Sequence, residues 1–136
     1  TSMAMLASAK KNNRAIILSG HVNILQISWE DLDFPNNTFD RVSASNVIYF
    51  WENPVEILNS IYRVMKNNAQ IIISFRIDEN LDYRLMEEYG YKLFNEKQVR
   101  QFMSNANFVD LKIEYKNAMT NTRQWKIVWL SGIKAG

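Results

Sequence analysis

The sequence predicts an α/β fold in which parallel strands are joined by crossover helices and the chain ends in an antiparallel β-hairpin. The first observation is a strand of small and β-branched residues, Arg41–Ile48, which suits a sheet covered on both faces. A capped amphipathic helix, Pro54–Lys66, and a second apolar strand, Gln70–Arg76, follow it directly. Strand, helix and strand in this order are typical of a right-handed βαβ crossover.

The helix between these strands has a clear start signal. Asn53 is placed to act as the N-cap, Pro54 occupies the first helical position, and Glu56 is placed to bond back to the Asn53 amide as a capping box. Apolar residues then recur at helical spacing and predict one buried stripe. Its members are Ile57, Leu58, Ile61, Val64 and Met65.

The N-terminal segment predicts one helix and one short strand. Thr1–Asn12 has a helix-favouring composition, with Thr1 or Ser2 available as a cap. Ala15–Ser19 is ambiguous and fits either a last helical turn or a lead-in, and Gly20 marks a break. His21–Ile27 then predicts a strand with Val22 and Ile24 buried.

The C-terminal half predicts two helices and a hairpin. Leu81–Tyr89 is a short helical candidate, and Asn95 opens a second helix, through Ala106, with a capping box. Alternation in Val109–Tyr115 predicts a half-buried strand, and Arg123–Leu130 predicts its antiparallel partner. The residues expected on one face of that last strand are Trp125, Ile127 and Trp129.

Composition limits the class of protein. A chain of 136 residues with 47% apolar residues corresponds to about one globular domain. The formal charge of +2 and the scattered basic residues argue against a nucleic-acid or membrane surface. The absence of cysteine fits a reducing cytoplasm, and no histidine or carboxylate cluster has metal-ligand spacing. We therefore expect a cytoplasmic protein with no nucleic acid, membrane or metal partner.

The stretch FDRVSASNVIYFWENPVEILNSIYRVMK, followed by a hydrophobic strand and SFR, resembles the latter half of a class I S-adenosylmethionine-dependent methyltransferase. The resemblance extends from about Met3 to the end of the chain. It implies a partial Rossmann-like methyltransferase sheet, S-adenosylmethionine as cofactor, and methyl transfer to a small-molecule or lipid-like acceptor. Where that family has glycine after a helix, this chain has Asn67-Asn68 and Asn107. Asparagine also tolerates the left-handed conformation, so both turns are expected to persist.

Two residues match the part of the family that meets the adenine ring. Ser28 stands where the family has an aspartate, and Trp29 follows it. The hydroxyl of Ser28 is a weaker acceptor than a carboxylate. For Trp29 two interpretations remain open, because it either contacts the adenine or fills a gap at the edge of the sheet.

The rim after the first strand supplies the other cofactor candidates. Ser45 and Asn46 match family positions near the methionine part of the cofactor or the substrate mouth, and Tyr49 lies beyond the carboxyl end of a parallel strand. The alternative is that the aromatic run Tyr49–Trp51 fills the gap between helix and sheet. The resemblance assigns no catalytic residue.

The glycine-rich turn and the acidic residue with which the family holds its cofactor have no counterpart in this sequence. The four glycines, Gly20, Gly90, Gly132 and Gly136, are far apart. We therefore expect residues 1–136 to form a single, N-terminally incomplete methyltransferase-like domain that binds the cofactor weakly and is inactive alone. The alternative is a truncated, non-catalytic module that associates through its sheet edge. Unpaired strand edges recruit other strands, so a homodimer is expected.

Overall fold

A computed structural model describes residues 2–77 and 87–136. The chain divides into two compact units, Thr1–Leu32 and Asp33–Gly136. Six of the nine residues of the predicted helix Leu81–Tyr89 lie outside the described residues. Each unit is described by itself below.

The first unit consists of helices α1 (Met3–Asn12) and α2 (Arg14–Leu18) and a single 3-10 turn at Trp29–Asp31. The Ser2 hydroxyl accepts a hydrogen bond from the Met5 amide at 3.3 Å, which confirms the predicted cap. The ambiguous segment 15–19 belongs mostly to α2. Gly20 ends this helix pair in the left-handed region, with φ +79°.

The prediction of a strand at His21–Ile27 is wrong. These residues have no regular secondary structure, and Leu25 and Ile27 are 58% and 44% exposed. A strand is held by a ladder of backbone hydrogen bonds to a neighbour, and this segment forms no such ladder within the described part of the chain. Its alternating apolar residues could not reveal that absence.

The second unit contains a sheet of four described strands. They are β1 (Phe39–Ser45), β2 (Met65–Ile77), β3 (Phe108–Met119) and β4 (Gln124–Lys134), and their order is β1-β2-β4-β3. β1 and β2 are parallel, whereas β4 is antiparallel to both β2 and β3. The predicted parallel crossover and the closing hairpin are therefore confirmed.

The ends of the parallel strands differ from the prediction. β1 stops at Ser45 because Asn46 adopts a left-handed conformation, with φ +54°, and Ile48–Phe50 then forms a 3-10 turn. β2 begins five residues early, at Met65, and contains an irregularity around Asn68, whose φ is +65°. Asn68 and Asn107, with φ +69°, both adopt the left-handed conformation expected where the family has glycine. Asn68 does not close α3, however, because it lies within β2 and the helix already ends at the extended Met65.

Helix α3 (Pro54–Val64) forms the crossover connection between the parallel strands β1 and β2. The Asn53 side chain accepts a hydrogen bond from the Glu56 amide at 3.4 Å, as predicted. The Glu56 carboxylate accepts from the Asn53 side-chain amide at 3.0 Å, so the capping box closes through side chains instead of through the Asn53 backbone. The helix ends two residues early because Met65 is already extended. All five residues of the predicted stripe are buried.

Replacing Asn53 with alanine is expected to lower the free energy of unfolding by about 1 kcal/mol, because the Glu56 amide loses its acceptor. Asn59→Ala is the matched control on the exposed side of the same helix. Alanine has the higher helix propensity, so that variant should be unchanged or slightly more stable. Urea unfolding of both variants measures the difference. Equal destabilisation by the two changes would contradict the cap.

Helix α4 (Glu96–Asn105) begins with the complete capping box predicted for Asn95 and Gln98. Val99 and Met103 on this helix are fully buried. The structure confirms that Trp125, Ile127 and Trp129 share one face of β4. They are half-buried, whereas Val128 and Leu130 on the opposite face are buried. Both faces of β4 carry apolar residues, so alternation alone could not indicate which face the helices cover.

Candidate functional site

The carboxyl ends of β1 and β2 lie side by side and form a polar rim. Ser45 and Ser74 are paired across the two strands, and the Ser74 hydroxyl donates to the Ser45 hydroxyl at 2.7 Å. The Asn46 amide donates to the Ser74 carbonyl at 2.9 Å, which extends the pairing one residue past β1. The left-handed backbone of Asn46 then turns the chain, and both Ser45 and Asn46 are exposed. The strand ends thus present a hydroxyl and an amide to solvent.

Tyr49 connects this rim to the end of β2. Its hydroxyl accepts a short hydrogen bond from the backbone amide of Arg76, and its carbonyl accepts from the Lys92 amide at 2.8 Å. Burial raises the pKa of Tyr49 above its ordinary value of 10.0, although the bond from Arg76 opposes the shift. The phenol therefore keeps its proton at neutral pH.

The aromatic residues that follow Tyr49 lie in two different environments. Trp51 is 1% exposed and packs in the core, as the gap-filling interpretation holds. Phe50 is 57% exposed, and its ring centroid lies 4.9 Å from that of Tyr91. Lys92 Nζ donates to the Glu52 carbonyl at 3.2 Å. Phe50 and Tyr91 therefore form an aromatic pair at the rim, whereas Trp51 belongs to the core.

The other two predicted cofactor residues lie in the first unit. Ser28 precedes the 3-10 turn and donates to the Asp31 carboxylate at 3.0 Å. Trp29 is the first residue of that turn and is half-buried. The described contacts bring Ser45, Asn46 and Tyr49 together and leave Ser28 and Trp29 in a separate unit. The sequence analysis did not identify Asp31, whose carboxylate accepts the hydrogen bond from Ser28. Asp31 lies three residues beyond the position that matches the family's aspartate.

Two further rim residues escaped the sequence analysis, Ser74 and Arg76. Both lie in the SFR motif at the end of β2, so proximity to the carboxyl end of a parallel strand was the signal that could have found them. Within the described ranges, no group of three His, Cys, Asp or Glu residues could hold a metal ion. No helix among the described residues is long and apolar enough to cross a membrane.

A family model described as "Methyltransferase domain" matches residues 1–73, which is more than half of the chain. The chain belongs to the methyltransferase domain family. The predicted family and the Rossmann-like fold class are thereby confirmed, and the mixed sheet with its C-terminal antiparallel pair agrees with them.

Two curated relatives carry names of quinone-type methyltransferases. The 2-methyl-6-phytyl-1,4-hydroquinone methyltransferase 1 of Oryza sativa subsp. japonica is 27% identical over 106 residues, which cover 77% of this chain and 32% of the relative. The ubiquinone/menaquinone biosynthesis C-methyltransferase UbiE of an Enterobacter species is 31% identical over 70 residues, 52% of this chain and 28% of the relative. The chain therefore spans about a third of the length of these proteins.

The fold is also similar to that of a solved geranyl diphosphate methyltransferase in complex with S-adenosylmethionine. The TM-score is 0.76 at 8% identity, and the match covers 98% of this chain and 66% of that one. At this identity the similarity concerns the fold.

Proposed function

We propose that this chain forms the acceptor-side part of a methyltransferase domain that transfers a methyl group from S-adenosylmethionine to a small, lipid-like aromatic acceptor of the hydroquinone type. The observation that carries the proposal is the rim formed by Ser45, Asn46 and Tyr49 at the carboxyl ends of two parallel strands, in a chain of the methyltransferase family. The names of the two quinone-type relatives support the acceptor class.

The residues of this chain fit part of such a cofactor. In the first unit, the paired Ser28 and Asp31 offer oxygen acceptors for an amino group. In the second unit, taken by itself, the exposed Asn46 amide offers both a donor and an acceptor. S-adenosylmethionine, when bound, supplies an electrophilic methyl group. The glycine-rich turn of the family has no counterpart here. The 136-residue chain alone is therefore expected to bind the cofactor with a dissociation constant above the micromolar range.

The rim can position an acceptor without acting as a strong base. Tyr49 stays protonated at neutral pH because burial raises its pKa, so its hydroxyl can donate a hydrogen bond to an acceptor oxygen. Its place is fixed by the Arg76 amide and by the Lys92 amide. The ring of Phe50, packed on Tyr91, adds an apolar surface that excludes water. Alignment and exclusion of water are thus the contributions of this chain.

The test is transfer of a radiolabelled methyl group from S-adenosylmethionine to menadiol by the whole protein. Asn46→Gly removes the side chain and keeps the left-handed backbone, so it should weaken cofactor binding about tenfold in titration calorimetry without loss of stability. Asn59→Ala on the exposed face of α3 is the control and should bind normally. Normal cofactor affinity in Asn46→Gly, or no methyl transfer to menadiol by the unmodified protein, contradicts the proposal.

A second candidate function is association through a sheet edge, and the outer edge of β1 favours it. β1 pairs only with β2 among the described strands, so its other edge offers backbone groups to another chain. A homodimer is the expected product. Light scattering at micromolar concentration should give twice the monomer mass. Ser43→Lys, at an exposed position of β1, should restore the monomer. Ser104→Lys, at an exposed position of α4, is the control and should leave the dimer intact. A monomeric unmodified chain contradicts this candidate.

A further inference from the structure

A cleft of about 520 Å³ lies within the first unit of the chain. It is lined by residues of helices α1 and α2 and by two residues of the segment that follows Gly20. The lining combines basic side chains with aliphatic ones. Its members are Lys10, Lys11 and Arg14, then Ile17, Leu18 and Ile24, together with the amide of Asn23.

Helical spacing places the basic and the aliphatic residues on one face. Lys10, Arg14 and Ile17 follow one another at intervals of four and three residues, which is the spacing of neighbours on a helix surface. The Asn13 amide donates to the Ala9 carbonyl at 3.2 Å, and the Ile17 amide donates to the Asn13 carbonyl at 3.0 Å. The helical hydrogen-bond pattern therefore continues from α1 into α2, and both helices contribute to the same face.

This face carries positive charge that no carboxylate compensates. Residues 1–29 contain three basic side chains, Lys10, Lys11 and Arg14, and no Asp or Glu. All three are exposed, and the described part of the chain gives none of them an ion-pair partner. The formal charge of only +2 for the whole chain hides this local excess.

Helix stability accounts for two of these cations and not for the third. Lys10 and Lys11 lie in the last turn of α1, where a cation opposes the helix dipole favourably. Arg14 is the first residue of α2, where the dipole disfavours a cation. The position of Arg14 therefore suits an external anion better than it suits the helix.

The aliphatic part of the cleft indicates which kind of anion. Leu18 is 76% exposed, the highest value among the large apolar side chains of the described residues, and Ile17 and Ile24 are half-buried. Helices that lie in the surface of an anionic membrane combine cations for the headgroups with aliphatic side chains for the acyl boundary. Single-stranded nucleic acid would instead need aromatic side chains for base stacking, and the lining has none.

We propose that this face docks the protein on the surface of an anionic lipid membrane, with Lys10, Lys11 and Arg14 at the lipid phosphates and Leu18 in the acyl boundary. Charge complementarity and the exposed aliphatic side chain carry the inference. It stands on the first unit alone and does not depend on the proposed methyl acceptor. A protein docked in this way would also meet a lipid-like acceptor in the phase in which such molecules dissolve.

The experiment is co-sedimentation of the 136-residue chain with vesicles of equal parts phosphatidylglycerol and phosphatidylcholine. Binding should be saturable, and vesicles of phosphatidylcholine alone should bind at least about tenfold more weakly. Lys10→Gln with Lys11→Gln should weaken binding about thirtyfold, because each cation near the surface contributes about fivefold. Absence of binding, or equal binding to both kinds of vesicle, overturns the inference.

A double variant with the same change of net charge is the control. Lys112→Gln with Lys116→Gln removes two exposed cations from β3, in the second unit. Its affinity for the mixed vesicles should stay within about twofold of the unmodified chain, since these side chains lie outside the cleft. Equal losses in the two double variants would show that net charge and not this face binds the membrane, and would overturn the inference.

The aliphatic contact has its own matched pair of variants. Leu18→Gln should weaken binding to the mixed vesicles about tenfold, because a leucine side chain no longer leaves water. Leu25 is 58% exposed in the same unit but does not line the cleft, so Leu25→Gln should bind normally. Equal affinities of these two variants overturn the docking face.

Soluble anions and salt complete the test with the unmodified chain. Glycerol phosphate at the phosphate concentration of the vesicles should not displace the chain, and a DNA duplex should bind more weakly than the vesicles do. Displacement by glycerol phosphate, or tighter binding to DNA, overturns the membrane as the partner. About 1 M salt should release the chain, because the Debye length falls to about 3 Å. Binding that resists this salt overturns the role of the cations.

Discussion

Replacing Lys134 with methionine is expected to lower the free energy of unfolding by about 3 kcal/mol, although the change lies two residues from the end of the sequence. Lys134 is only 8% exposed. Its ammonium group donates to the carbonyls of Tyr62 and Met65 at 2.9 and 2.8 Å and to the Asn37 side chain at 3.0 Å. It also lies 4.7 Å from the Tyr62 ring centroid.

The two carbonyls explain the size of the effect. They belong to the last turn of α3 and to its C-cap, where the helix leaves acceptors unpaired and where a cation opposes the helix dipole. Methionine keeps the length and apolar character of the lysine stem, so the loss comes from the ammonium group. Deleting it removes a donor from the buried Met65 carbonyl and leaves the Tyr62 carbonyl with only the Met65 amide, and this costs more than a surface contact is worth.

Lys66→Met is the matched control. Lys66 forms an ion pair with Asp40 at 3.0 Å, but the two side chains are 49% and 81% exposed. Solvent screens such a pair, so the expected loss is below about 1 kcal/mol. Urea unfolding of both variants gives the comparison. Similar losses in the two variants would mean that the contacts of Lys134 do not hold α3 against β4.

Replacing Gly132 with alanine is expected to destabilise the chain by about 2 kcal/mol through overpacking. A Cβ atom at this position would lie 2.8 Å from Met103 Cε, 2.9 Å from Leu111 Cδ2 and 3.2 Å from Phe108 Cβ. Leu111 is half-buried and its Cδ2 can turn aside, but Met103 is fully buried and Phe108, 3% exposed, meets the new atom through its Cβ next to the backbone, so these two have little room to move. Gly132 is needed because α4 approaches β4 closely.

Gly136→Ala is the control for that prediction, because its nearest neighbour atom would lie at an ordinary 3.5 Å. That variant should have the same melting temperature as the unmodified chain. A second variant, Gly132→Ala with Met103→Ala, removes the closest clash. A loss in the double variant that is smaller than the sum of the losses in Gly132→Ala and Met103→Ala supports overpacking, whereas a simple sum of the two losses would contradict it.

Local signals in the sequence predicted much of the fold and part of the candidate site. The caps at Asn53 and Asn95 and the asparagine turns at Asn68 and Asn107 depend on the few residues around them, so the sequence sufficed. The prediction of Ser45 and Asn46 at the end of a strand was correct for the same reason. The family resemblance identified the fold class, which periodicity alone left at the level of α/β.

Long-range pairing could not be read from the sequence. The segment His21–Ile27 has the residues of a strand, but strands require a hydrogen-bonded neighbour, and local sequence does not name one. The sequence did not indicate which face of β4 the helices cover, because both faces carry apolar residues. Lys134 looked like an ordinary terminal lysine until the fold placed three oxygens around it.

The sequence by itself determined the βαβ crossover, the closing hairpin, the helix starts and the family, because each depends on local conformational preference or on a contiguous motif. Only the tertiary structure decided that Tyr49 bonds to Arg76, that Arg76 lies over Trp125 and that Lys134 closes α3. The partners in these contacts are 27 to 72 positions apart in the sequence. The energies of the contacts depend on how deeply the groups are buried. Burial is a property of the assembled sheet and helices, which no local pattern contains.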